Sequence, residues 1–598
     1  MRRRPVLRPL YAALSILLSG AVLPVSGFAS TTDSTTQAEP YKSIRVGSFA
    51  GAYLAGRVAE NDNNMPATID FYRQALAFDP GNLQLKQDLL LALLTNGQFE
   101  EALPWAKELQ NNAEIERFSR LALAVDAISR KQFRQARPLL NYSVQSDMDK
   151  LSSQLIKAWA NYGAGNPKNA ASAVEAIKGP QWFTLFRTYH SALMADLSGQ
   201  VKAAEDFYQK AVADKAGGGA APDTYERIVI SYASFKARHG DMKSAVEILK
   251  SAEELLTGRK TLAEMRHMLE AGKAPVQLIA TPQQGAAEVL YALGTAINRS
   301  GAEAFAKLYL QMSLPLRPAD DATMFQLGDI SAKLRQPQSA IDYYGRVSED
   351  SFYRIDAEMQ LALNLAESKR EKEAIEHLNA LLERDSKDMR TYLALGSVYA
   401  QAKDYANSAK TYDQAVALIE KPERADWTIY FQRGISYERL KEWDKAEPNF
   451  KKALELFPDQ PQVLNYLGYS WVDMGINLDE ALDMIRKAVE LRPQDGYITD
   501  SLGWAYYKLG RYDDAVAELE KAVKLRPEDA TINDHLGDAY WQVGRQLEAT
   551  FQWHHAIAGE PEPEELAKIE EKLKKGLNPP ENPVKADTPA DAKPEPKL

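Results

Sequence analysis

Cysteine is absent from all 598 residues. Its absence excludes disulfide bonds, thiolate metal ligands, a cysteine nucleophile and lipid attachment through a mature N-terminal cysteine. Histidine is scarce, with 7 copies, and scattered apart from His554 and His555. Adjacent helical residues point about 100° apart, so this pair does not share a metal readily, and a surface or packing role is the simpler reading. No serine stands in a Gly-x-Ser-x-Gly turn. "GAGNPKN" (163–169) has glycines and a lysine without phosphate-loop spacing, and the glycines at 217–219 follow no strand pattern, so both read as turn or linker. Carboxylates in runs such as "RYDDAVAELEKAV" mix with lysine at helical spacing, the mark of a solvated face held by ion pairs. No catalytic pair, metal site or cofactor signature is legible, and the chain reads as a non-enzyme.

Basic charge is also in deficit. Lys and Arg number 72 against 82 Asp and Glu, for a formal net charge of −10. That balance disfavours nucleic acid and anionic membrane surfaces as partners. The long apolar run is a single one, Leu10 to Val25, behind Arg2, Arg3, Arg4 and Arg8 and ahead of Gly27 and Ala29. This pattern predicts a secretory signal peptide over 1–29, hence a periplasmic protein, with an uncleaved membrane anchor as the alternative. Cleavage would remove four arginines and no acid, leaving the mature chain still more acidic.

What is present is repetition. Leu502, Gly503, Tyr506, Gly510, Ala515, Ala522 and Pro527 recur as Leu536, Gly537, Tyr540, Gly544, Ala549, Ala556 and Pro561, each 34 residues on. A fixed period of this length marks a repeat array. Leu502, Gly503 and Tyr506 share one face of a first helix; Ala515, Leu519 and Ala522 share one face of a second. Gly510 suits a left-handed cap between them, and Pro527 stops the second helix. The same register gives Leu464, Leu467, Gly468, Trp471, Ala481, Ile485, Ala488 and Pro493 from 461, with one extra residue near "GINLDEA". From 427 it gives Tyr430, Gly434, Tyr437, Ala446, Phe450, Ala453 and Pro458. Weaker copies start near 389, 355, 321 and 287. Ala67, Phe71, Ala75 and Pro80 mark an early one, and further pairs are expected from 83, 117, 151, 185 and 226. The total is about fourteen units.

This skeleton resembles the tetratricopeptide repeat (TPR) family over residues 48–563. The resemblance implies an all-α fold of helical hairpins stacked as a right-handed solenoid. The expected organisation is a signal peptide (1–29), a flexible linker (30–47), degenerate repeats (48–259), a register break and hinge (260–286), a C-terminal array (287–563), a capping helix (564–576) and a Pro-, Lys- and Glu-rich tail (577–598). "ADKAGGGAAP" (213–222) reads as an insertion between repeats.

In that family the first helix of each unit lines a concave face that binds proteins or extended peptides. Carried over residue by residue, the groove comprises Phe431, Ile435, Glu438, Asn465, Tyr469, Val472, Tyr497, Asp500, Trp504, Tyr507, Thr531, Asp534, Asp538 and Trp541, with Lys508 beside them. Trp504 and Trp541 have a second reading, as packing between repeats. The family's carboxylate clamp of paired Lys and Asn is not reproduced, because Lys508 stands largely alone. The chain looks like an exported bacterial adaptor or scaffold in cell-envelope biogenesis, of the kind that presents substrates to a carboxyl-terminal processing protease. Two alternatives stay open: a component of an outer-membrane assembly, secretion or polysaccharide-export machine, and a glycan-binding protein using the aromatic groove.

Overall fold

The computed structural model describes residues 44–577 except 144, 274, 276 and 300. The expected signal peptide, most of the linker and the tail beyond Leu577 lie outside the described residues.

Among the described residues the secondary structure is helical, without strands. The first helices are α1 (Phe49–Asn61), α2 (Met65–Phe78), α3 (Leu83–Thr95), α4 (Phe99–Leu109), α5 (Glu116–Ser129), α6 (Phe133–Leu139), α7 (Asp147–Gly163), α8 (Pro167–Glu175), α9 (Phe183–Leu197) and α10 (Val201–Ala213). They continue as α11 (Lys215–Ala220), α12 (Pro222–Arg238), α13 (Met242–Leu255), α14 (Lys260–Glu270), α15 (Pro282–Asn298), α16 (Glu303–Ser313), α17 (Asp321–Lys333), α18 (Pro337–Gly345), α19 (Arg354–Glu367), α20 (Glu371–Arg384) and α21 (Met389–Gln401). The last are α22 (Tyr405–Ala417), α23 (Trp427–Arg439), α24 (Trp443–Leu456), α25 (Pro461–Met474), α26 (Leu478–Leu491), α27 (Gly496–Lys508), α28 (Tyr512–Leu525), α29 (Ala530–Gln542), α30 (Gln546–Ala558) and α31 (Pro563–Lys575). Setting α11, α14 and α31 aside leaves fourteen hairpins.

Every hairpin turn contains a left-handed residue: Asn63, Gly97, Lys131, Gly165, Gly199, Gly240, Gly301, Arg335, Lys369, Lys403, Lys441, Gly475, Gly510 and Gly544. The first five are spaced by 34 residues, so the backbone keeps the period where the sequence skeleton has faded. The interval widens where α11, α14 and the short turn Arg424–Asp426 are inserted. Near "GINLDEA" both Gly475 and Asn477 take positive φ, which accommodates the extra residue.

In many of the hairpins a small residue on the first helix lies against a large one sixteen residues later. Gly503 lies so close to Leu519 that a Cβ would come within 2.5 Å of its Cγ, and Gly537 bears the same relation to Trp553. Gly434–Phe450, Gly328–Tyr344 and Gly56–Tyr72 repeat it. Elsewhere alanine stands at the first position of the same spacing, as with Ala124 and Leu140, Ala192 and Tyr208, and Ala233 and Leu249, all buried. The rest of the expected skeleton is interior as well: Leu467, Gly468, Ala481, Ala488, Leu502, Ala515, Ala522, Leu536, Tyr540, Ala549 and Ala556 are buried, and Tyr506 half so. Pro493 and Pro527 sit exposed after their helices, whereas Pro561 is buried.

The chain divides into two compact units at Ala394/Leu395, inside α21. The segment 260–286, expected as a hinge, lies within the first unit. Its α14 buries Leu262, Met265 and Leu269 in one cluster with α12 and α13.

In the first unit the solenoid also packs across itself. α15 lies against α7 and α12, and α16 against α3 and α5. Gly285 of α15 rests on the Trp159 ring of α7, where a Cβ would come within 2.3 Å. Trp159 donates to His190 Nδ1 at 3.1 Å. Burial lowers the His190 pKa to about 4, which keeps that nitrogen an acceptor. A buried charge cluster pins α15: Arg227 of α12 donates through Nε to Glu288 at 3.0 Å, and Tyr189 donates to the same carboxylate at 2.9 Å. Asp320, capping α17, lies 3.5 Å from Arg227. The Gln336 side chain donates to the Asn63 carbonyl, joining hairpin turns 273 residues apart.

Candidate partner-binding groove

The candidate groove is a strip along the first helices of the second unit, α23, α25, α27 and α29, with α31 at its end. Each of these helices starts from a residue that ends its chain reversal. Asp495 and Asp529, for example, accept from the first-turn amides of α27 and α29 through their side chains.

Two expected groove residues belong to the core instead. Phe431 and Val472 are 1% and 2% exposed, within the cluster that joins α23 to α26. An apolar side chain at those positions gains more by filling the space between neighbouring hairpins than by facing water. Phe431 meets Tyr466 edge-on at 5.7 Å. Ile435 is half-buried against the same cluster. Glu438 accepts from the Tyr466 hydroxyl at 3.0 Å. Asn465 is half-buried, with its Oδ1 enclosed and unpaired. Tyr469 is half-buried, and burial first, then Asp500 and Asp473, hold its hydroxyl protonated. Tyr497 lies beneath the Arg526 guanidinium at 5.0 Å. Thr531 is exposed.

The middle of the strip is aromatic and partly open. Trp504 and Tyr507, both half-buried, stack at 4.7 Å with 5° between planes. Trp504 also stacks on the His535 ring at 3.9 Å. His535 in turn meets the buried Asp500 carboxylate through Nδ1 at 3.0 and 3.1 Å. Tyr507 accepts from Gln542 at 3.4 Å, and burial raises its hydroxyl to about 12. Lys508 is exposed, 5.4 Å over Trp504 and 3.5 Å from Asp473. Asp500, His535, Trp504, Tyr507 and Gln542 thus form one run across α27 and α29. Sequence reading missed His535, Gln542 and Asp473. The signal was a spacing of 35, which is one repeat plus one residue for Asp500 to His535 and Tyr507 to Gln542, and one repeat, lengthened by the extra residue, for Asp473 to Lys508.

The far end of the strip is closed by the chain itself. Lys572 of α31 donates to Asp534 and Asp538, with each contact at 2.8 Å. The Trp541 indole donates to the Leu577 carbonyl at 3.1 Å, and Gly576 sits on its ring. Trp541 also packs on Trp553 at 5.4 Å. Trp541 therefore serves the cap and the packing within the last hairpin, and Asp538, 5% exposed, is interior. The expected single open strip from Trp504 to Trp541 is interrupted at α31.

These buried charges predict a pH dependence. Burial and then Asp534 push the Asp538 carboxyl up to about 6, against the pull of Lys572 and Trp553. For His535, burial disfavours the imidazolium, but the Asp500 carboxylate more than offsets it, so its pKa stands above 6.5. Both folded values exceed the unfolded ones. Each contribution is therefore full below the unfolded pKa and is lost as pH rises through the folded one. The stability of wild type relative to Asp538→Asn should fall from about pH 5 to about pH 8 by roughly 1–1.5 kcal/mol. Urea titrations across that range check it, and a difference that grows with pH would contradict the assignment.

With this geometry in view, sequence comparisons identify the architecture. Residues 503–544 match the family described as TPR repeat, and 387–459 and 431–496 match two families described as tetratricopeptide repeat. The chain carries tetratricopeptide repeats. A TPR repeat-containing protein of Pseudomonas aeruginosa is 27% identical over 196 residues, covering 33% of this chain and 32% of that protein. A BBSome complex member of Bos taurus is 34% identical over 108 residues, 18% of this chain and 19% of the relative. The chain spans about a third of the first relative and a fifth of the second. The crystal structure of yeast Tom70 aligns over 88% of this chain and 95% of its own, at 14% identity and a TM-score of 0.36. Tetratricopeptide repeats imply a scaffold for protein–protein interaction. Among the described residues no helix is long and apolar enough to cross a membrane.

Proposed function

We propose that the protein is an exported, periplasmic scaffold of cell-envelope biogenesis that captures an extended protein segment on the α27–α29 strip, in the manner of adaptors that bring substrates to a carboxyl-terminal processing protease. The observation that carries the reading is the half-open run of Trp504, Tyr507 and His535, set between Asp500 and Gln542. Ring faces and edges cover side chains, while amides and carboxylates satisfy peptide N–H groups. Export is supported by Arg2–Arg4, the apolar run and the small-residue exit at Gly27 and Ala29.

The test is fractionation with N-terminal sequencing, followed by crosslinked capture from envelope extract. The expected mature chain begins near Ser30, is soluble in the periplasm and enriches envelope proteins. Met1 retained on a membrane-bound or cytosolic form would overturn the location.

A further inference from the structure

α31 is held differently from the helices before it. α26, α28 and α30 each bury several side chains, whereas Ile569 is the one buried residue of α31. The rest of its hold is polar and lies toward its C-terminal end, with Lys572 on Asp534 and Asp538 and the Leu577 carbonyl on the Trp541 indole. Its N-terminal end points elsewhere. Glu562, just before α31, lies 3.8 Å from Lys403, the turn residue of a hairpin four hairpins back. Glu565, in the first turn, is among the carboxylates that act on the Tyr469 hydroxyl of α25. One end of α31 is therefore near α25 and the other is on α29. Between those two helices stands α27, which carries Trp504 and Tyr507. α31 lies back along the strip and does more than close its last layer.

We propose that α31 is an autoinhibitory strap, lying over the α25–α29 strip and limiting access to the Trp504–Tyr507 run until it is released. The proposal rests on the reading of that run as the capture surface. Release is within reach because little apolar area holds the helix. Lys572 regains its hydration on leaving, which offsets much of the lost ion pairing. Asp538 keeps its other donor, the Trp553 indole at 2.9 Å, whether or not α31 is in place. A partner that needs the released state binds with its affinity reduced by the fraction of chains that are open. A strap open about one time in ten lowers the apparent affinity about tenfold.

The test uses the full chain and, as probe, a labelled peptide of residues 562–577. Lys572→Glu sets a carboxylate against Asp534 and Asp538 and frees the strap. The peptide should bind this variant roughly tenfold or more tighter than wild type, whose own strap fills the seat. Hydrogen exchange should rise in α31 while α29 and α30 keep their protection, and capture from envelope extract should rise and be competed by the peptide. A second arm does not depend on that variant. The chain has no cysteine, so Lys403→Cys with Glu562→Cys supplies two thiols for a cleavable bismaleimide. Joining them should lower capture roughly tenfold, and cleaving the link should restore it. Equal peptide binding by variant and wild type, or capture indifferent to linking, overturns the strap. If capture then still falls with Trp504→Ala/Tyr507→Ala, the reading of the run survives; if it does not, both fall together.

Discussion

Glu288→Ala should destabilise the unit spanning 44–394 by about 3–5 kcal/mol, because it strands the Arg227 guanidinium in the interior. Arg227 is 3% exposed, and Glu288 accepts from both it and Tyr189. Removing the carboxylate leaves a full charge with only the more distant Asp320 to answer it. Replacing the pair together, Arg227→Met with Glu288→Leu, removes the charge as well as its partner and should recover most of the loss. Urea unfolding read by hydrogen exchange in each unit separates the cases. The loss should appear in α7, α12 and α15 and leave α27–α30 unchanged. A single variant within about 1 kcal/mol of wild type would mean that this cluster does not anchor α15.

Trp553→Ala should be nearly as severe, at about 3–5 kcal/mol, and confined to the other unit. The ring is fully buried, fills the space left by Gly537 and donates to Asp538 at 2.9 Å. Its loss opens a cavity and removes a donor from a carboxylate whose pKa burial already raises. The last hairpin and α31 should then become protease-sensitive. Trp504→Ala makes the contrast, since a half-buried ring gives up little beyond its stacks on Tyr507 and His535, about 0.5–1.5 kcal/mol each. Equal losses from both variants would show that Trp504 is a core residue.

The difference between those tryptophans also shows what the sequence makes legible. The skeleton Leu-Gly-Tyr-Ala-Ala-Pro is written openly in 461–561, because the closest helix contacts there use glycine against Leu519 or Trp553. Several earlier hairpins meet the same requirement with other residues. At the same sixteen-residue spacing Ala158 and Val174 are both buried, as are Leu90 and Ala106, where the larger residue stands on the first helix. The turn likewise accepts Lys131 or Arg335 where later repeats use glycine. Volume and backbone conformation are preserved while residue identity is not, so the motif fades although the fold does not. Contacts across the solenoid, such as α15 on α7, follow no period and were not foreseeable from local pattern. The groove was half legible. Positions carried over from the family located Trp504, Tyr507 and Asp500. They also admitted Phe431 and Val472, which face the neighbouring hairpin, and gave no sign that α31 would close over Trp541.

The central claim is that the open aromatic run, rather than the capped end at Trp541, is where a partner binds. The direct measurement is quantitative crosslinked capture from envelope extract with the full chain and its Trp504→Ala/Tyr507→Ala variant, at matched folded concentration confirmed by circular dichroism. Truncating such anchors commonly costs at least about 2 kcal/mol of binding, roughly a 30-fold loss of affinity. The account predicts that the proteins enriched by wild type fall to background with the variant while its helical signal at the assay temperature stays near wild type, its melting point lowered by no more than the lost stacks on Tyr507 and His535 explain. Undiminished capture by the folded variant would contradict it.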